Sequence, residues 1–180
     1  MGSQFVTLYI ADPAVIQAKL RGDDPDIASA LYASDPKLAP ALRPAFEVIG
    51  KGLLCFMDKQ REHPEGHVYL RAVEHILDAH KKRSGSLEFY PDEGEYPLWS
   101  LTYDRCEAEW LTVPQSESGI PTLAWRSPQT CRSLASSMRR ALSTGEFNQR
   151  FSPDYTLTAA IELLDEGAST NFGVFAMFQG

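Results

Sequence analysis

Phe5-Val6-Thr7-Leu8-Tyr9-Ile10-Ala11-Asp12-Pro13 reads as a strand that turns directly into a helix. Six consecutive residues are β-branched, aromatic or leucine, a composition that fits a pleated, buried surface. Asp12 then offers a carboxylate to the free N–H groups of a first helical turn, and Pro13 at the first helical position loses nothing by lacking an N–H. At the other end of the chain, Phe172 to Phe178 is a second short apolar run. Helices outnumber strands between these two runs, so the expected class is α+β. The expected architecture is a small, mostly antiparallel sheet that includes the N- and C-terminal strands, packed against five or six helices.

The Asp-Pro signal recurs at Asp24-Pro25 and Asp35-Pro36, and its serine form at Ser127-Pro128 and Ser152-Pro153. From these starts the spacing predicts short helices over 13–21, closed by Gly22, and over 25–33. A longer helix is expected over 44–61, with Gly50 and Gly52 inside it at about 1 kcal/mol each relative to alanine. Over 65–82, Tyr69, Ala72, Val73, Ile76 and Leu77 form one apolar stripe. Lys81, Lys82 and Arg83 suit the negative end of that helix dipole, and Ser84-Gly85 reads as its stop. A strand over 120–126 precedes a helix from Ser127-Pro128 to about Ser143, with Leu134, Met138, Ala141 and Leu142 expected inward. The last helix, from Ser152-Pro153 to a stop at Gly167, turns Leu157, Ala160, Ile161 and Leu164 inward. One domain over 1–180 accommodates all of this, with 84–120 open to being an insertion or lobe.

The chain has 180 residues, 43% of them hydrophobic, and three cysteines, Cys55, Cys106 and Cys131. Three cysteines at wide spacing make neither a disulfide framework nor a zinc site, which points to a reducing cytoplasm. No basic region followed by an apolar core opens the sequence, and Glu47 and Lys51 interrupt its most apolar stretch. Neither export nor membrane spanning is therefore expected.

The formal charge is −7, and it is concentrated. Residues 1–87 hold 11 acids and 11 bases, and residues 118–180 hold 5 of each. Residues 88–117 hold 8 acids against the single Arg105, a net of −7. The same segment carries Tyr96, Trp99, Tyr103 and Trp110, and large amphipathic rings make good interface anchors. Its order fits neither strand alternation nor helical period cleanly, so strand or irregular structure is expected. Two readings follow. Either the acids solubilise the outer faces of strands whose rings are core, or Asp92, Glu93, Glu95, Tyr96, Trp99, Tyr103, Glu107, Glu109 and Trp110 form a surface that docks a basic protein.

Several constellations contain residue types suited to chemistry. The histidines fall at His63, His67, His75 and His80. His67 and His75 share the polar side of one helix with Arg71 between them, which disfavours a metal ion, while His80 is expected at the edge of the apolar stripe. Cys131 stands in the first turn of a helix beside Arg126 and Arg132, where the dipole is expected to lower its pKa. Glu107-Ala108-Glu109 has the spacing of the paired glutamates of ADP-ribosyltransferases, without the arginine and Ser-Thr-Ser strand that accompany them. No phosphate-binding glycine loop and no Gly-x-Ser-x-Gly elbow occurs. Neither catalytic residues, nor a metal, nor a cofactor is assigned. Residues 126–150 are net +4 through Arg126, Arg132, Arg139, Arg140 and Arg150. An isoelectric point near 5.1 argues against nucleic acid as the partner, and these arginines are expected to pair with the acidic segment within the fold.

The opening, a strand with Tyr9, an acid, and the helix Pro13 to Leu20, resembles that of the YfbM-like bacterial domains of unknown function. The ending is similar too, with Trp125, the helix Ser127 to Leu142, the amphipathic helix Leu157 to Leu164 and the strand Val174 to Phe178. The resemblance covers roughly half of the chain as architecture and does not extend to 84–120. It implies a small mixed cytoplasmic domain and carries no catalytic residues.

The leading expectation is a non-enzymatic cytoplasmic protein-binding domain, of the immunity or antitoxin type, that meets a basic partner through 88–117. One alternative is a regulatory domain holding a small ligand in a pocket lined by Trp99, Trp110 or Trp125. The other is an enzyme whose site is assembled from His67, His75, Cys131 or Glu109.

Overall fold

The computed structural model describes residues 4–21, 29, 33, 39–51, 66–89, 99–102, 106–111, 123–144 and 154–179. In chain order its elements are β1 (Gln4–Ala11), α1 (Pro13–Arg21), α2 (Ala39–Gly50), α3 (Gly66–His80), β2 (Lys81–Phe89), α4 (Trp99–Thr102), β3 (Leu123–Arg126), α5 (Pro128–Thr144), α6 (Asp154–Ser169) and β4 (Val174–Gln179). The class is α+β. The four strands make one antiparallel sheet in the order β2-β1-β4-β3, so the N- and C-terminal strands are central neighbours.

The chain divides into two compact units. The first comprises Met1–Asp12, Lys81–Ala108 and Leu123–Gly180, and the second Pro13–His80 and Glu109–Thr122.

In the first unit β1 pairs on both sides, and its register sorts the core. Leu8 lies opposite Gly85 on β2 and Ala176 on β4. Leu163 of α6 sits directly over Gly85, where a Cβ would come within 2.8 Å of its methyl group. That face of the sheet, with Val6, Leu8 and Ile10 fully buried, is therefore covered by α6. Tyr9 on the opposite face is buried as well, as is β4 from Val174 to Phe178. A strand covered on both faces needs a near-continuous apolar run instead of alternation, which both terminal segments supply with Thr7 the one polar residue among the buried positions of β1. Each such Leu, Ile or Phe contributes roughly 1.5–3 kcal/mol by leaving water.

Helix α6 buries Leu157, Ala160, Ile161 and Leu164 as the periodicity predicts. It does not stop at Gly167. The helix runs on to Ser169, and the chain then reverses through Asn171 (φ 60°) and Gly173 (φ 72°). Gly167 is instead a contact point, where a Cβ would lie only 2.5 Å from Val174 and 2.7 Å from the Gly173 carbonyl. Helix α5 packs on α6, and its Cys131, Ala135 and Met138 are buried, whereas Leu134, Ala141 and Leu142 are half-buried. The buried stripe thus keeps Met138 from the expected set and takes Cys131 and Ala135 in place of Leu134, Ala141 and Leu142.

The expected helix end at 82 is also corrected. Helix α3 ends at His80, and Lys81 already begins β2, so Ser84 and Gly85 are strand residues and not a helix stop. The pairing shifts between Ile10 and Ala11, leaving Lys82 without an opposite residue, and its ammonium lies 4.2 Å from the centre of the Phe172 ring.

In the second unit α1, α2 and α3 pack on one another. Their buried residues include Ile16 and Leu20 of α1, Ala45 of α2, and Tyr69, Ala72, Val73, Ile76 and Leu77 of α3, the stripe expected from sequence. Helix α2 begins at Ala39, earlier than the expected start at Pro44, and so carries Pro44 inside it. His80 is exposed, not at the edge of the core. The helix expected over 25–33 lies outside the described residues apart from Ser29 and Ala33, both helical. No described helix is long and apolar enough to cross a membrane.

Candidate functional site

Strand β3 is an edge strand with β4 on one side, and an edge exposes backbone groups that must be met. Its sequence Leu-Ala-Trp-Arg alternates half-buried with buried positions. On its outer side residues 106–108 supply the missing partners. The Trp125 N–H donates to Cys106 Sγ at 3.2 Å, and the Trp125 carbonyl accepts from the Glu107 N–H at 3.3 Å. The Cys106 thiol in turn donates to the Ala108 carbonyl at 3.7 Å. This part of the acidic segment is therefore laid along the sheet edge by the backbone of Trp125.

The first turn of α5 holds it from a second direction. Ser127 caps the helix, its Oγ accepting the Thr130 N–H at 3.3 Å, while its carbonyl accepts the first helical bond from the Cys131 N–H at 2.8 Å. The N–H of Ser127 points to the Glu107 carboxylate, with 3.4 Å to Oε2. A carboxylate beside the start of a seventeen-residue helix is favourably placed with respect to the dipole. Glu107 nonetheless remains exposed.

A third tether is Arg126, the largest fully buried side chain of the described core. Its Nε donates to the Leu101 carbonyl at 3.0 Å, and Leu101 is itself buried. Helix α4, which begins with Trp99, is thereby fastened to β3. On the neighbouring residue, the Trp125 indole Nε1 donates to the Phe172 carbonyl at 3.0 Å. Gly173 makes this crowded corner possible, since a Cβ there would collide with the Arg126 carbonyl.

Of the nine residues expected to dock a partner, Asp92, Glu93, Glu95, Tyr96 and Tyr103 lie outside the described residues. Trp99 opens α4 and Glu107 is held as above, both in the first unit. Glu109 is exposed and Trp110 half-buried in the second unit. The described parts of the segment are strand to Phe89, a single helical turn at 99–102 and a turn at 106–111.

Cys131 is corrected. Helix dipole and arginines are expected to lower its pKa, but burial pushes the thiol up to about 12, with Glu107 adding to the rise and Arg126 and Arg132 opposing it. Its Sγ donates to the Arg126 carbonyl at 3.5 Å, so it is a buried structural thiol and not an activated nucleophile. His67 and His75 lie on α3 in the second unit, where His75 is half-buried. Among the described residues no three His, Cys, Asp or Glu side chains gather as a metal site. Of the arginines expected to pair with the acidic segment, Arg126 bonds into it through the Leu101 carbonyl, whereas Arg139 bonds Asp165 of α6, a helix that also receives Arg83 of β2 through Glu166 at 2.6 Å and Glu162 at 3.6 Å.

Sequence reasoning missed two residues that position this region, Arg126 as a buried tether and Cys106 as the acceptor on the strand edge. The signal for the first was an arginine at an inward position of a four-residue strand. No protein-family model matches the chain, and no curated protein or solved structure matches it.

Proposed function

We propose that the protein is a non-enzymatic binding domain that docks a basic protein surface through the acidic, aromatic segment 88–117, in the manner of immunity or antitoxin proteins of the cytoplasm. The observation that carries this reading is the net −7 of that segment, equal to the formal charge of the whole chain. Its support in three dimensions is the way Glu107 is presented: exposed, yet fixed by the Trp125 carbonyl, the Ser127 N–H and the first turn of α5. A preordered acid loses less entropy on binding, and concentrated negative charge speeds encounter with a basic partner. A kinship with the YfbM-like domains is part of the same proposal, supported by the succession β1–α1 at one end and α5–α6–β4 at the other.

The test is retention of basic proteins from a cytoplasmic extract on the tagged chain at low and high salt, compared with a variant carrying Asp92→Lys, Glu93→Lys, Glu95→Lys and Glu109→Lys. The expected result is a basic protein retained at low salt, released at high salt and lost in the variant. Retention that survives the charge reversal overturns the reading.

A further inference from the structure

The two edges of the sheet differ. Along β3 the backbone of Trp125 is met by residues 106–108, whereas β2, the outer strand at the other side, pairs with β1 and with no further strand among the described residues. Lys82, Arg83 and Ser86 are exposed, and Ser84 and Gly85 are half-buried although Leu163 lies over Gly85. An open edge is a template for another strand, and basic side chains on it usually keep unrelated strands away. Lys82 is such a residue, its ammonium lying over the Phe172 ring and paired with no carboxylate among the described residues. Glu88, near the other end of β2, is half-buried and likewise makes no ion pair among the described residues.

Laid antiparallel on a second copy of itself, β2 is self-complementary. It runs from Lys81 to Phe89, so Gly85 is its midpoint, and full-length pairing about a two-fold axis sets Gly85 opposite Gly85. In that register Ser84 falls opposite Ser86 and Lys82 opposite Glu88, each twice. Opposite charges and paired hydroxyls are cross-strand partners that stabilise a ladder. Moving the axis to Ser84 or Ser86 parts the charges and shortens the ladder. We propose that the protein forms a two-fold dimer in which the sheet continues from β2 into β2 of a second copy. The contact uses one surface twice, so it closes at two. The surroundings of the edge are balanced in charge, with Lys81, Lys82 and Arg83 against Glu88 and the α6 acids Glu162 and Glu166. Arg83 already holds Glu166 at 2.6 Å and Glu162 at 3.6 Å, so two copies do not bring bare carboxylates of α6 together. Repulsion between two chains of net −7 then acts only at longer range, where salt screens it. The dimer does not depend on the docking role of 88–117.

Sedimentation equilibrium of the full chain tests this at about 0.15 M salt, where the screening length is ~8 Å. Wild type is expected to rise with concentration from the 20.0 kDa monomer mass toward twice that value and no further. Lys82→Glu and Glu88→Lys each set like charges opposite one another at both ends of the ladder. Each should raise the dissociation constant about tenfold, with unchanged circular dichroism. Mixed in equal amounts, the two variants should dimerise as wild type does, because every changed residue then meets the opposite charge. Amide exchange of wild type is the independent readout, and the outward N–H groups between Lys82 and Glu88 should slow as concentration rises. A wild type monomeric at every concentration overturns the proposal and leaves the edge to a partner of different sequence. So do a mass that climbs beyond two copies, single variants that dimerise as wild type does, a mixture that stays monomeric, or a dimer whose β2 amides exchange as fast as those of the monomer.

Discussion

Arg126 Nε donates to the carbonyl of Leu101 at 3.0 Å, with the arginine only 2% exposed and the leucine fully buried. A guanidinium removed from water is tolerated only where its donors are met, and here meeting them fastens a helical turn of the acidic segment to the sheet edge. Replacing Arg126 by Met keeps much of the volume and leaves the Leu101 carbonyl without this donor. Arg126→Met is expected to cost about 1–3 kcal/mol in urea unfolding, and Arg126→Ala more because a cavity is added. Amide exchange at 99–102 should quicken beyond the global loss; unchanged protection there would show that the bond does not hold α4.

Gly167 lies inside α6, where alanine would gain about 1 kcal/mol in helix propensity. The packing term has the opposite sign. A Cβ would meet Val174 Cγ2 at 2.5 Å and the Gly173 carbonyl at 2.7 Å, and the Gly173 N–H is already bonded to the Gly167 carbonyl at 2.9 Å. Gly167→Ala should therefore lower stability by about 1–3 kcal/mol. Adding Val174→Ala should recover little, since the backbone carbonyl remains. Thermal unfolding of the single and double variants checks both signs.

Burial holds the Cys131 pKa at about 12, above its ordinary value of 9.0. A group whose pKa is raised by folding contributes stability that is complete below the unfolded value and is lost as pH climbs toward the folded one. Wild type is therefore expected to lose stability between about pH 9 and 12 more steeply than Cys131→Ala, although the variant starts lower because of its cavity. Denaturant midpoints across that range give the comparison; parallel curves would contradict it. At neutral pH a thiol reagent should leave Cys131 unmodified until the chain unfolds.

The elements legible in the sequence are those with one dominant period. Val6–Ile10 and Val174–Phe178 are apolar but for Thr7 because both faces of the central strands are covered. Leu157, Ala160, Ile161 and Leu164 repeat at helical spacing because α6 presents one face to the sheet. Strand β2 is not legible: Lys81 to Ser86 has the composition of a helix end, and what makes it a strand is pairing with β1 and the space Gly85 leaves for Leu163. Such a glycine is identical in sequence to a C-cap. The site divides similarly. The charge of 88–117 is visible by counting, whereas its tethers, Arg126 to Leu101 and Trp125 to Cys106, join residues 25 and 19 positions apart and follow only from the fold. Cys131 shows the limit of a local rule, since a first-turn thiol is activated only where water and charge reach it, and this one is buried.

Thr156, in the first turns of α6, is 1% exposed, and its Oγ1 has no hydrogen-bond partner among the described residues. A buried hydroxyl without a partner forfeits its bonds to water, a penalty of about 1–3 kcal/mol that the methyl group of the same side chain only partly offsets. Thr156→Val replaces that hydroxyl by a methyl of the same shape and keeps the β-branch, so helix propensity scarcely changes. It should stabilise the protein by about 1 kcal/mol. Thr156→Ser keeps the unmet hydroxyl, removes the methyl and should destabilise by a similar amount. Urea unfolding of the pair decides the matter: a destabilised Thr156→Val would mean that the hydroxyl is satisfied in solution, by an internal water being the physical route.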